Sequence, residues 1–138
     1  MVLRSRKVPH LLLCPSKTGL NVKRLYSAFI NTLHGLGWCL VHEEAVREEA
    51  ILLVIAVPLG LFVAPGVGWY VAMVGSLLAV LAVELLNTSV EKLSDHVTRD
   101  WHVEIRRIKD FGSAAVFCSL CLAGLIWLAA IGLRLGLV

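Results

Sequence analysis

The stretch VGWYVAMVGSLLAVLAVELLNTSVE, residues 67–91, decides the fold. No charge interrupts it before Glu84. A helix this long and this apolar reads as membrane-spanning, because a bilayer core needs about 20 apolar residues to cross it. Near its end the run gains a carboxylate, an amide and a second carboxylate. Glu84, Asn87 and Glu91 stand at i, i+3 and i+7, so a helix places all three on one face. Asp95 extends that face by another turn. An ionisable residue in a span costs about 2.5–3.5 kcal/mol on insertion scales and marks a functional site by default. The plainer reading is that Glu84 sits where the helix leaves the membrane and snorkels to water. Geometry alone leaves both open.

Composition supports the same class. The chain has 138 residues, of which 58% are hydrophobic, and a mean hydropathy of +0.81. Ordinary soluble domains use roughly 45–50% apolar residues, which excludes that class. The length suits one domain. The net charge of +3 is small, and nucleic acid is not an expected partner. Cys14 and Cys39 are isolated, and Cys118-x-x-Cys121 lies inside an apolar run with no second pair or nearby histidine. These cysteines read as packing or lipid-facing groups rather than a redox or metal pair.

Outward from the central stretch, residues 1–23 form a basic tail (Arg4, Arg6, Lys7, Lys17, Lys23), with no acid before Glu43. Leu11-Leu12-Leu13 is too short for a signal-peptide core of about 7–15 residues. The tail suits anionic headgroups. Residues 24–46 read as an amphipathic surface helix, with Leu25, Phe29, Leu33 and Leu36 on one stripe. The segment His42-Glu43-Glu44-Ala45-Val46-Arg47-Glu48-Glu49 is densely charged. Glu43 and Arg47 form an i,i+4 acid-to-base pair there. Its four acids are either a solvated helix start or a divalent-cation site.

A first span is expected over about 48–64, kinked at Pro58 and broken at Pro65-Gly66. The second runs over 67–90, and the third over 112–133, where Gly112-Ser113-Ala114-Ala115 allows close helix approach. Trp127 is either packing or a lipid contact. Between the last two spans lies a charged connection, 91–111. Of thirteen Lys and Arg, seven precede Ala50, five lie in 91–111, and Arg134 flanks the opposite side. The positive-inside rule then places the N-terminus and the 91–111 connection in the cytoplasm, and the C-terminus outside.

The acid patch 43–49, the Glu84/Asn87/Glu91 face and the 91–111 connection therefore converge at one interface. Magnesium takes hard oxygen ligands and often one or two carboxylates plus phosphate oxygens and waters. Glu43 and Glu91 are the best-placed pair for it. Lys109 beside Asp110, with Arg24 or Arg107, could hold nucleotide phosphates. Glu84 is deep enough to take the proton of a lipid hydroxyl. Neither a Gly-x-x-x-x-Gly-Lys-Ser/Thr loop nor a protein-kinase motif set is present. Asn87-Thr88-Ser89 fits the glycosylation pattern but lies on a membrane helix.

At these residues the chain resembles a known family. Glu84-Leu-Leu-Asn87-Thr-Ser-Val-Glu91, followed at matching spacing by Lys109-Asp110-Phe-Gly112-Ser113-Ala114-Ala115, looks like the signature of bacterial integral-membrane diacylglycerol kinases. Glu43 and Ala45-Val46-Arg47-Glu48-Glu49 match the acidic element before that family's first span. The resemblance covers about residues 24–133. It implies an all-α membrane protein, a homotrimer of three-span subunits each with an N-terminal surface helix, in the bacterial inner membrane with a periplasmic C-terminus. It also implies active sites between subunits that transfer the ATP γ-phosphoryl group, with Mg2+, to a lipid hydroxyl. By position, Glu84 resembles the general base, Asn87 the site asparagine, and Glu43 and Glu91 the metal-binding carboxylates. Lys109 and Asp110 match the nucleotide pair, with Arg24, Asp100, Trp101 and His102 near nucleotide as well. Ala45, Val46, Arg47, Glu48, Glu49, Ser113 and Trp127 fall where the family lines its lipid site, with Glu84. Asn31 replaces an aromatic, and Glu48 stands where glutamine is frequent; both depart from the pattern.

The resemblance favours diacylglycerol as acceptor because the 43–49 element looks closer to that branch. Undecaprenol, phosphorylated by relatives with the same motifs, is the alternative. A small proton-coupled transporter would also explain Glu84, but not Lys109-Asp110 or Glu43.

Overall fold

The protein's structure, a computed structural model, describes residues 22–137. The basic tail lies outside the described residues except for Val22 and Lys23, which open the first helix. Four helices follow in order: α1 (Val22–His42), α2 (Glu44–Val63), α3 (Val67–Val97) and α4 (Val103–Arg134). Among the described residues there is no strand. The chain divides into two compact units, one up to Leu33 and one from His34 onward.

In the first unit, the stripe of Leu25, Phe29 and Leu33 is exposed. Thr32 Oγ1 donates to the Ala28 carbonyl at 2.9 Å, which ties one turn to the next.

The second unit begins in the last turns of α1. There Trp38 and His42 stack with ring centroids 4.4 Å apart. The helix expected over 24–46 is cut at Glu43, whose backbone is extended at φ −113 and ψ 118. Glutamate is a good helix former, so propensity does not make this break. The backbone remains satisfied across it: Glu43 N donates to Cys39 O at 2.8 Å, and Arg47 N donates to Glu43 O at 3.2 Å. One residue thus closes α1 and opens α2, and its side chain meets Lys92 of α3.

Helix α2 carries Pro58 in its interior, which removes one backbone donor. It ends as Ala64 becomes extended before Pro65, as the residue before proline favours. Gly60 lies against Tyr70 of α3, where a Cβ would come within 3.2 Å of the ring. Helix α3 runs past Val90 to Val97, and α4 begins at Val103, so most of the charged connection is helical. His102 caps α4 by accepting from Glu104 N at 3.3 Å through Nδ1. At the other end, Gly136 takes φ +68. Its N–H reaches Leu133 O, and that of Leu137 reaches Gly132 O, an αL-type ending that favours glycine.

Helix α3 is central. It packs most extensively on α4, next on α2, and those two barely meet. Its buried stripe runs from Met73 and Val80 to Glu84, Asn87, Thr88 and Ser94. One face therefore changes from apolar to polar along its length. Trp127 of α4 donates its indole N–H to the Met73 carbonyl at 3.1 Å. The same ring lines an apolar cavity of about 280 Å³ between α2, α3 and α4.

Helices α3 and α4 are each long and apolar enough to cross a membrane. Only 22% and 11% of their most apolar windows is buried within the chain. A core helix of a soluble protein would be mostly covered, so these surfaces suit lipid or other transmembrane chains. Two such helices, rather than the expected three, meet this criterion. In α2 the uncharged stretch starts only at Ala50, after four acidic or basic side chains in the first turns.

Candidate active site

The polar half of the α3 stripe is the unusual feature. Glu84 is 7% exposed, Asn87 8% and Thr88 5%. Buried polar groups normally find partners, and exceptions ask for an explanation. Here Asn87 Nδ2 donates to Glu91 Oε1 at 3.4 Å, one turn on. Its Oδ1 is buried and accepts nothing. The amide faces Gly112 of α4: a Cβ there would collide with Oδ1 and lie 3.3 Å from Cγ. Only glycine at residue 112 leaves Asn87 its place. Glu84 lies within interaction range of the Asn87 and Thr88 side chains and feels the charges of Glu91 and Glu43. Glu49 on α2 faces the same group through the charge of Glu84. Its Oε2 is also buried without a partner.

Glu43 completes this group from the helix break. The expected Glu43–Arg47 pair does not form. An extended residue loses the i,i+4 helical geometry, so Arg47 approaches Glu44 instead at 3.8 Å. The Glu43 carboxylate turns to α3, where Lys92 Nζ comes within 2.7 Å of Oε1. At that distance the two form a close ion pair, and Glu43 is the leading influence on the Lys92 ammonium. Four carboxylates thus share one electrostatic neighbourhood with one close ammonium.

Among the described residues, no group of three or more His, Cys, Asp or Glu closes into a metal site. The oxygens fit a partial shell instead. Asn87 Oδ1 is a hard donor without a hydrogen-bond partner, and Glu43 Oε1 is a hard donor held by the Lys92 ammonium. Magnesium typically keeps waters and substrate phosphates around one or two carboxylates.

A second cluster lies on the connection between α3 and α4. Asp100, Trp101, His102, Lys109 and Asp110 line one cavity of about 250 Å³, together with Asp95. All five are sequence-predicted nucleotide residues. Lys109 is ion-paired with Asp95 across the two helices. Asp110 and Arg106 form an exposed pair at 4.0 Å. The Trp101 ring is 77% exposed and available for stacking. Asp100 N donates to Thr98 Oγ1 at 3.1 Å, which shapes the loop.

The remaining predicted residues are dispersed. Arg24 and the departing Asn31 lie on α1 in the first unit. Ala45, Arg47 and Glu48 are exposed on the first turns of α2, whereas Val46 is fully buried. Ser113 donates back to Lys109 O at 3.2 Å. Thr88 and Lys92 were not singled out from sequence. Thr88 is buried on α3, which its residue type alone does not signal. Lys92 reads as an ordinary charge of the connection until Glu43 is seen beside it. Cys39, Cys118 and Cys121 are free thiols.

Fold and site together define a helical membrane protein whose central helix, α3, carries a buried acidic site. Its relatives are specific. The model of the family described as prokaryotic diacylglycerol kinase matches residues 30–131. A diacylglycerol kinase of Haemophilus influenzae is 38% identical over 96 residues, covering 70% of this chain and 81% of that protein. The diacylglycerol kinase of Pseudomonas aeruginosa is 31% identical, covering 82% and 92%. That of Escherichia coli K12 is 30% identical, covering 67% and 76%. The chain belongs to the prokaryotic diacylglycerol kinase family.

Proposed function

We propose that this protein transfers the γ-phosphoryl group of ATP to the free hydroxyl of diacylglycerol, giving phosphatidic acid and ADP. The observation that carries this reading is the buried group of Glu84, Asn87 and Thr88. It sits on the same helix that reaches, through Asp95 and Lys109, the cavity holding the predicted nucleotide residues. The names of the relatives support the substrate.

In this reading the Glu84 carboxylate takes the proton of the lipid hydroxyl. The hydroxyl oxygen forms a bond to the γ-phosphorus as the bond to the β,γ-bridging oxygen breaks, and ADP leaves. Phosphoryl transfer depends mainly on positioning and charge stabilisation. Lys109, with Arg24, meets phosphate charge. Asp100, Trp101, His102 and Asp110 position the nucleotide. Glu43 and Glu91 would hold Mg2+, with Asn87 beside them. When bound, that ion would neutralise charge on the phosphoryl oxygens. Ala45 through Glu49, Ser113 and Trp127 would line the lipid site. A homotrimer with sites shared between subunits accounts for the exposed membrane surfaces and for Arg24 acting with the rest. By the positive-inside rule the N-terminus and the 91–111 connection would lie in the cytoplasm, at the inner membrane.

The test is transfer of label from ATP, with magnesium, to diacylglycerol in mixed micelles, wild type beside Glu84→Gln. Labelled phosphatidic acid with wild type, and at least a hundredfold less with Glu84→Gln, is expected (general base catalysis contributes about 10²–10⁴-fold). Near-normal rates in Glu84→Gln would remove it as the base. Label reaching undecaprenol in strong preference would reassign the acceptor. No label with either lipid, but ATP-independent solute uptake into proteoliposomes, would make the protein a transporter.

A further inference from the structure

Lys92 has no role in the reading above, yet it touches one of that reading's metal ligands. Its ammonium lies 2.7 Å from Glu43 Oε1 and 5.7 Å from the centroid of the Trp38 ring. Trp38 is itself stacked on His42. The ammonium therefore rests between a carboxylate and an aromatic face, both of which attract a cation. Lys92 also lies in the field of Glu91 and Asp95. Consecutive helical residues point in different directions. Glu91 thus serves Asn87 while Lys92 reaches back to Glu43.

We infer that Lys92 is a positioning residue: a built-in counter-cation that holds the Glu43 carboxylate at the site while no metal is bound and releases it when a divalent cation arrives.

Three features support this assignment. The Glu43 side chain is 19% exposed and that of Lys92 55%, so the carboxylate is fixed and the ammonium can swing to solvent. The contact is an ion pair at 2.7 Å, so an incoming cation can take the place of the ammonium. The Glu84 carboxylate, itself in the field of Glu49 and Glu91, repels Glu43, which would otherwise be driven outward. A divalent ion brings twice the charge of the ammonium and displaces it, but at a higher free-ion concentration than an unguarded site would need. The site would then favour metal that arrives already bound to nucleotide phosphate, whose oxygens supply the rest of the shell.

The inference rests on the lipid-kinase reading, with Glu43 as a metal ligand. It is tested without turnover, by titrating the full-length protein in detergent with Mn2+ alone and reading free Mn2+ by electron paramagnetic resonance. Wild type, Lys92→Met, Glu43→Gln and the double variant are compared, with folding checked by circular dichroism. Lys92→Met is expected to bind Mn2+ about two- to fivefold more tightly, the range set by losing a partly exposed ion pair. In the Glu43→Gln background the same change should have no effect, because the carboxylate that Lys92 guards is gone. Lys92→Gln should repeat both results if the methionine variant folds poorly. Unchanged or weaker binding in Lys92→Met and Lys92→Gln, with Glu43→Gln still weaker than wild type, overturns the role of Lys92 and leaves the kinase reading standing. Equal tightening in both backgrounds shows long-range charge only, which also overturns it. Identical binding in wild type and Glu43→Gln removes Glu43 as a ligand, and this inference with it.

Discussion

Gly112 has no room for a methyl group while Asn87 keeps its position. In Gly112→Ala, the Asn87 amide must rotate and give up Glu91. Helix propensity favours alanine by about 1 kcal/mol, which offsets much of the steric cost, so the melting temperature should change little. Turnover should fall on the order of 10–100-fold, the scale of a misplaced active-site group. Steady-state rates beside thermal unfolding in detergent check this; unchanged rates would show that Asn87 can turn freely. Glu91 works at the same scale. Glu91→Gln removes one carboxylate from the proposed shell, so the magnesium needed for half-maximal rate should rise roughly tenfold or more, since even outer partners of a metal cost about 10–100-fold. A magnesium curve superimposable on wild type would exclude Glu91 as a ligand.

Between elements, the tie from Asp95 on α3 to Lys109 on α4 joins the acidic site to the nucleotide cavity. Both side chains are partly exposed, so the pair contributes little to stability. Its use is to aim Lys109. Asp95→Asn should leave the melting temperature within a few degrees of wild type and raise the KM for ATP several-fold while the KM for lipid stays unchanged. A selective rise in the lipid KM would place Lys109 elsewhere in the reaction. The break between α1 and α2 is the other joint. It turns the Glu43 side chain toward α3, which a continuous helix over 24–46 would not do.

For the whole molecule, the number of spans decides where the chain ends. Helices α3 and α4 qualify by length and hydropathy, and α2 is the proposed third span, shortened by its charged first turns. Three spans put the two termini on opposite sides of the membrane; two spans put them on the same side. With a cytoplasmic N-terminus, a fluorescent protein fused after Val138 should stay dark and a periplasmic phosphatase fused there should be active. The reverse pattern would show that α2 does not cross.

The amino-acid sequence by itself determined the class of fold and most of the candidate residues. Long apolar runs must leave water, and the spacing of Glu84, Asn87 and Glu91 places them on one face of any helix. Both follow from composition and the 3.6-residue period, with no neighbour required. The tertiary structure alone decided the partners. Glu43 and Arg47 pair only in a continuous helix, and one extended residue sends Glu43 to Lys92, far along the chain. Gly112 read as one of several small residues, and only the approach of α3 shows that it makes room for Asn87. Periodicity reports which face a side chain occupies, and what stands opposite that face is set by the packing of another helix.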